Sequence, residues 1–238
     1  MAERALQPAI PIVRVAAVDK WYGHYHALRG IQLTVMPGEC VVLWGPSGSG
    51  KTTLLRAIAG LERVQSGALE IAGVPRAVGP LVRPAPSPGV GMVFQRSALF
   101  LNMRVIDNLT IGLRRVRGME RREAEALALR HLAQVRMADL AMRYPAQLSG
   151  GQQQRAEIAR ALCMEPRLLL FDEPTAALDP ELKHEVGETI SALAREGRTV
   201  MVATHEPMLV RALRARMVLM ADGTIAGEST SAAFFEPR

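Results

Sequence analysis

Aromatic side chains are scarce in this chain. They make up 4% of its 238 residues, so any core must be built from aliphatic side chains. Cysteine is scarcer still. Cys40 and Cys163 lie far apart and lack the close spacing of a metal site, so both read as core thiols of a reducing compartment. Only three lysines occur, Lys20, Lys51 and Lys183, although Lys and Arg together number 29. A net charge of +6 raises nucleic acid or anionic lipid as partners. The arginines are scattered, however, and their one cluster, Arg114 to Arg122, is modest. A genome that favours arginine codons accounts for them, and no nucleic-acid partner is expected. No run approaches the ~20 consecutive apolar residues of a membrane-spanning helix. Met1 to Pro11 lack the continuous apolar stretch of a secretory leader. The chain is expected to be soluble or peripheral to a membrane.

Hydrophobic residues make up 49%, enough for a packed core, and the length suits one large α/β domain with an inserted subdomain. Short apolar runs alternate with helical patterns, which argues for a mainly parallel sheet. Strands are expected at Val13–Val18, Ile31–Val35, Val41–Trp44, Ala68–Ala72, Val90–Phe94, Leu168–Phe171 and Thr199–Ala203. Helices are expected at Thr52–Leu61, Arg121–Arg136, from Leu148 to about Met164, and Glu181–Arg195. Met217–Met220 and Thr224–Ala226 read as a closing hairpin around Asp222-Gly223. Val74–Gly89 holds five prolines and two glycines and reads as a loop, a tolerated surface excursion rather than a regulatory insertion. The division is a core at about 12–95 and 156–238, with a helical insert at about 96–155.

Gly45-Pro46-Ser47-Gly48-Ser49-Gly50-Lys51-Thr52 follows an apolar strand and opens a helix. It matches the P-loop spacing at every required position. Glycines let backbone N–H groups turn in around phosphates, and the helix start favours an anion. Lys51 brings a full positive charge, the Thr52 hydroxyl suits Mg²⁺, and Thr53 can add a hydrogen bond. Leu168 to Phe171 is an apolar strand ending in Asp172-Glu173. In an open α/β sheet ligands sit at the carboxyl ends of strands. Asp172 is placed to hold Mg²⁺ through water, and Glu173 to act as general base on the attacking water. Gln95 and His205 end strands in the same way, within reach of the γ-phosphate, its water or the metal. Taken alone, each of these two is more often structural. Leu148-Ser149-Gly150-Gly151-Gln152 opens a helix without a lysine. Ser149 can simply cap that helix, or the turn can bind a second phosphate across a two-fold dimer.

In their order these motifs resemble the ATPase subunits of ATP-binding-cassette (ABC) transporters. The set includes the P-loop, Gln95, the Leu-Ser-Gly-Gly-Gln signature, Asp172-Glu173, the Ala176-Ala177-Leu178-Asp179 loop and His205. The resemblance runs from roughly Val15 to the C-terminus. It implies an ABC ATPase fold and hydrolysis of ATP with Mg²⁺. It implies a dimer in which Ser149, Gly150, Gly151, Gln152 and Asp179 reach the nucleotide of the other copy, itself or a paralogous ATPase. Tyr22 would stack on adenine; from the residues alone Trp21 competes for that role.

A narrower resemblance is to importers of polar amino acids. It rests on Tyr144-Pro145-Ala146-Gln147, Gln152-Gln153-Gln154-Arg155, Leu178-Asp179-Pro180-Glu181-Leu182 and Phe234-Phe235. It implies integral membrane permease subunits, an extracytoplasmic solute-binding protein, and a place on the cytoplasmic face of the cell membrane. Another cargo (lipid, osmolyte or exported molecule) and a non-transport ABC ATPase are the alternatives. Three features depart from the pattern. Ala176 replaces the usual serine, Glu157 stands where this group mostly carries a small residue, and Leu101-Asn102-Met103-Arg104 lacks a Pro-His pair. The last stretch should face the membrane partner.

Overall fold

The computed structural model describes residues 10–235, so most of Met1–Pro11, read above as no leader, lies outside it. Strands β1 (Val13–Tyr22) and β2 (Tyr25–Val35) lead to β3 (Cys40–Trp44) and helix α1 (Lys51–Ile58). Next come β4 (Ser66–Ile71), β5 (Val74–Arg76) and β6 (Val90–Val93). Helices α2 (Val105–Arg115), α3 (Arg121–Gln134) and α4 (Gly150–Cys163) then follow one another. The chain closes with β7 (Leu168–Asp172), α5 (Pro180–Arg195), β8 (Thr199–Thr204), α6 (Pro207–Ala212), β9 (Arg216–Ala221), β10 (Thr224–Thr230) and α7 (Ser231–Phe235).

Two sheets form. One is antiparallel, in the order β2-β1-β4-β5; the other has the order β10-β9-β3-β8-β7-β6. In the second, β9, β3, β8, β7 and β6 run parallel and β10 pairs antiparallel at the edge. Every residue of β7 and β8 is buried, which explains their near-continuous apolar sequences. Their side chains alternate between two cores. Leu169, Phe171, Val200 and Val202 pack with α2 to α5. Leu168, Leu170, Met201 and Ala203 pack with α1 and the antiparallel sheet. Burial of each large aliphatic side chain contributes about 1.5–3 kcal/mol. The parallel sheet therefore holds its strand ends, where the polar residues begin, in fixed register.

Three expectations are corrected. β1 and β2 are longer than Val13–Val18 and Ile31–Val35. An irregularity at Ala17 (φ 48) breaks the alternation, and beyond it Asp19 and Lys20 disguise the strand. Asp19 is held there by Gly30 N–H, Ser66 Oγ and His26. Val74–Arg76 is not loop but an edge strand, and the edge is where Pro75 costs no ladder bond. The loop that follows runs mostly over the surface, as expected, and is tied to the core at Ser87. Ser87 donates from Oγ to Ile58 O and from N–H to Ala59 O. A Cβ on Gly60 would lie 2.1 Å from Ala85 O. Finally, α6 and α7 are helices too short to show a helical period, and they were not expected.

Candidate functional site

The turn from β3 into α1 is shaped by glycine. Gly48 (φ +83) and Gly50 (φ +100) adopt a conformation side chains resist, and a Cβ on Gly45 would meet Met220 O at 2.2 Å. α1 has no acidic residue in its first turn and no side-chain cap, so its leading N–H groups are available to an anion. Lys51 is 5% exposed and folds back over the loop. Its Nζ donates to Gly45 O (2.8 Å) and Pro46 O (2.9 Å), and stands 3.7 Å from Glu173 Oε1.

The end of β7 faces this loop. Thr52 Oγ1 donates to Asp172 Oδ1 at 2.6 Å. Burial pushes the Asp172 carboxyl above the usual carboxylate range, against the opposing pull of Thr52, Arg56 and Lys51. Glu173 takes a left-handed turn (φ 47) and its N–H donates to Ala203 O, tying it to β8. Its Oε1 lies 3.0 Å from His205 Nδ1. Its Oε2 is buried without a partner among the described residues, which leaves one carboxylate oxygen able to accept a proton from a substrate water.

These groups surround one open pocket of about 280 Å³. Of the residues expected at the site, Ser47, Gly48, Gly50, Lys51, Thr52, Thr53, Gln95, Glu173 and His205 line it. Asp172 joins through Thr52, while Gly45, Pro46 and buried Ser49 shape the loop behind it. The donor chemistry suits Mg²⁺. The Thr52 hydroxyl and Asp172 carboxylate are hard oxygens side by side, and among the described residues no group of three or more His, Cys, Asp or Glu forms a protein cage. A cation that completes its shell with water and phosphate fits such a pair.

Tyr22 does not line the pocket. It is 43% exposed, and Lys20 Nζ sits 4.4 Å from its ring centroid, which covers one face. Trp21 stacks on His26 at 4.1 Å. Tyr25, which the sequence reading missed, does line the pocket and donates its hydroxyl to Gly48 O at 3.3 Å. Its signal lay in register: Tyr25 is the hairpin partner of Tyr22.

The Ser149 turn also lies outside that lining. Ser149 caps α4, accepting from Gln152 N–H at 3.3 Å, while Gln152 Oε1 accepts from Ser149 N–H at 3.0 Å. Asp179 caps α5 through Leu182 N–H at 3.0 Å. Gly150 abuts Leu178, and Gly151 abuts Leu182, each leaving only 3.0 Å for a Cβ. Two helix starts are thus packed side by side, with Ser149, Gly150 and Asp179 exposed.

One charged residue lies deep between site and helices. Glu157 of α4 is fully buried, and burial raises its carboxyl from the ordinary 4.5 to about 7 despite Arg160 and the Ala98 and Phe94 amides. The protonated form is therefore favoured by folding. The contribution of Glu157 to stability should fall as pH rises from about 4.5 through about 7 and then level off. Glu157→Gln should be more stable than the parent at pH 8 by on the order of 3 kcal/mol, with the difference vanishing near pH 4. Urea unfolding at both values checks this; an equal difference at both would show that ionisation is not the cause.

Residues 28–176 match the family described as ABC transporter. The chain is 44% identical over 225 residues to the glutamate/aspartate import ATP-binding protein GltL of Escherichia coli, covering 94% of this chain and 93% of that one. It is 44% identical over 223 residues to the glutamate/glutamine/aspartate/asparagine transport ATP-binding protein BztD of Rhodobacter capsulatus, covering 94% and 85%. Among solved structures it resembles the ATP-binding cassette MJ0796 in a dimeric post-hydrolysis state bound to ADP and Pi. The TM-score is 0.79 at 31% identity, over 92% of this chain and 98% of that one. A phosphate loop and a strand-end acid pair on one mixed sheet, with a capped glycine turn at the start of α4, agree with that match, and the chain belongs to the ABC transporter family as one of its ATP-hydrolysing subunits.

Proposed function

We propose that this chain, as a two-fold dimer with a second copy or a paralogue, hydrolyses ATP to drive uptake of a polar amino acid. In this reading it works at the cytoplasmic face of a cell membrane, against separate permease subunits supplied by an extracytoplasmic solute-binding protein. The relatives' import and transport functions support the cargo class. Among the described residues no helix is long and apolar enough to cross a membrane, and this reading assigns the solute path to a separate permease. An apolar patch suits that permease. Phe100 and Leu101 (69% exposed) lie just before α2, and the start of α2 is tied to the segment of exposed Met142 and Tyr144 by Val105 and Ile106 N–H donating to Arg143 O and Ala141 O. The domain division carries over: a core at about 12–95 and 156–238, and an insert at about 96–155 that bears this patch.

In the reaction a water attacks the γ-phosphorus as the bond to the bridging oxygen breaks, and ADP and phosphate leave. Glu173 accepts the water's proton, and His205 Nδ1, 3.0 Å away, orients the carboxylate. Lys51 exchanges its loop carbonyls for phosphate oxygens, and Thr53 and the α1 amides add donors. Bound Mg²⁺, held by Thr52, Gln95 and Asp172, would neutralise phosphate charge. Tyr22 stacks on adenine once Lys20 yields its face.

The observation that carries the dimer is that two adjacent helix starts leave Ser149 and Asp179 exposed, away from the residues that line the chain's own phosphate pocket. A two-fold axis turns each such patch toward the other's pocket. Glu173→Gln protein should therefore double in mass on adding ATP, read by light scattering. An ATP-bound form that stays monomeric overturns the arrangement.

A further inference from the structure

Gln95 sits on the chain between β6 and α2, and α4 holds that chain with three side chains from one face. Gln154 Nε2 donates to Phe94 O at 3.1 Å. Ala98 N–H donates to Glu157 Oε1 at 3.3 Å, and Arg160 Nη1 donates to Ala98 O at 2.7 Å. Arg160 Nη2 stands 3.4 Å from the same Glu157 oxygen, so one peptide residue, Ala98, is gripped at both ends by a charged pair. Spacings of three residues place 154, 157 and 160 in successive turns on neighbouring positions of the helix.

A fully buried carboxylate is a costly way to fill space. An apolar side chain would pack there without desolvation. What Glu157 adds is an acceptor for Ala98 N–H and a partner for Arg160. Ala98 is three residues from Gln95, and α4 begins with the Ser149 turn. The helix therefore joins the turn offered to the other copy with the strand-end residue of its own pocket.

We propose that Glu157 and Arg160 are positioning residues for Gln95, clamping Ala98 so that the 95–98 segment keeps a fixed station relative to α4. This rests on the reading of Gln95 as a nucleotide-facing residue. Neither clamp residue touches substrate. Loosening them misplaces Gln95, and small misplacements are expensive in turnover.

The test uses the purified full chain, with ATPase kinetics and amide hydrogen exchange read together. Glu157→Ala and Arg160→Ala should each lower kcat about tenfold. KM for ATP should change less than about twofold, since uniform binding is untouched. Exchange should rise at Ala98. Glu157→Gln, which keeps the acceptor, should stay near the parent in both readouts. In a Gln95→Ala background, Glu157→Ala should cost nothing further. Arg160→Ala, which leaves the buried position filled, serves if Glu157→Ala does not fold. An additive loss in the Gln95→Ala background, or unchanged exchange at Ala98, overturns the proposal. Normal turnover of Gln95→Ala alone overturns the role of Gln95 instead. That failure is told apart because Ala98 exchange still responds to Glu157→Ala.

Discussion

Glu173→Gln should bind ATP and turn it over about 10²- to 10⁴-fold more slowly, the usual contribution of a positioned general base. The amide keeps the size of the side chain and can still meet His205 Nδ1, now 3.0 Å from Oε1. What it loses is basicity. In the parent, Oε2 is buried and has no partner among the described residues, so it is the oxygen left to take a proton. Affinity should hold or rise, because a negative charge 3.7 Å from Lys51 Nζ is removed and the ammonium is left to the phosphates. Single-turnover hydrolysis with enzyme in excess over nucleotide gives the rate, and calorimetry gives the affinity. Parent-like turnover would strip Glu173 of the role.

Lys51→Ala should act on binding first, weakening ATP by roughly 10- to 100-fold. A hydrogen bond to a charged group is worth about 1.5–3 kcal/mol, and each 1.4 kcal/mol is tenfold. Lys51 Nζ already donates to Gly45 O and Pro46 O, so it is pre-positioned over the loop and loses little freedom on meeting a nucleotide. Alanine leaves the loop amides and the α1 start in place, which is why some binding should survive. Titration calorimetry of the two proteins decides it; equal affinities would mean that the backbone alone cradles the phosphates.

Much of this was legible in residues that solve two problems at once. β7 and β8 had to be almost wholly apolar to sit inside a covered sheet, so Asp172 at the end of β7, and Glu173 and His205 just beyond the two strands, stood out. The phosphate loop was legible because its glycines obey a geometry that tolerates little else. Other parts were hidden by physics that a linear pattern does not carry. The far half of β1 is polar because Asp19 serves as a hub for three donors, contacts that exist only after β2 and β4 arrive. Pro75 masked β5, since only its edge position makes proline harmless. Tyr25 came to the pocket through hairpin register, and Lys20 came over Tyr22 by a side-chain contact. The Ser149 turn was recognisable, yet the phosphate proposed for it belongs to another chain.

In the proposed dimer, the cap on α4 bears on how two copies would meet and part. Ser149 Oγ uses a lone pair on the Gln152 amide, and the hydroxyl proton is not needed for that bond. The same atom can anchor its helix and still donate outward. The proposed docking onto a neighbour's triphosphate would then require no local unravelling, and separation after the phosphate departs would leave nothing to rebuild. A contact that costs its owner no folding free energy, in either direction, is suited to being made and broken once per cycle.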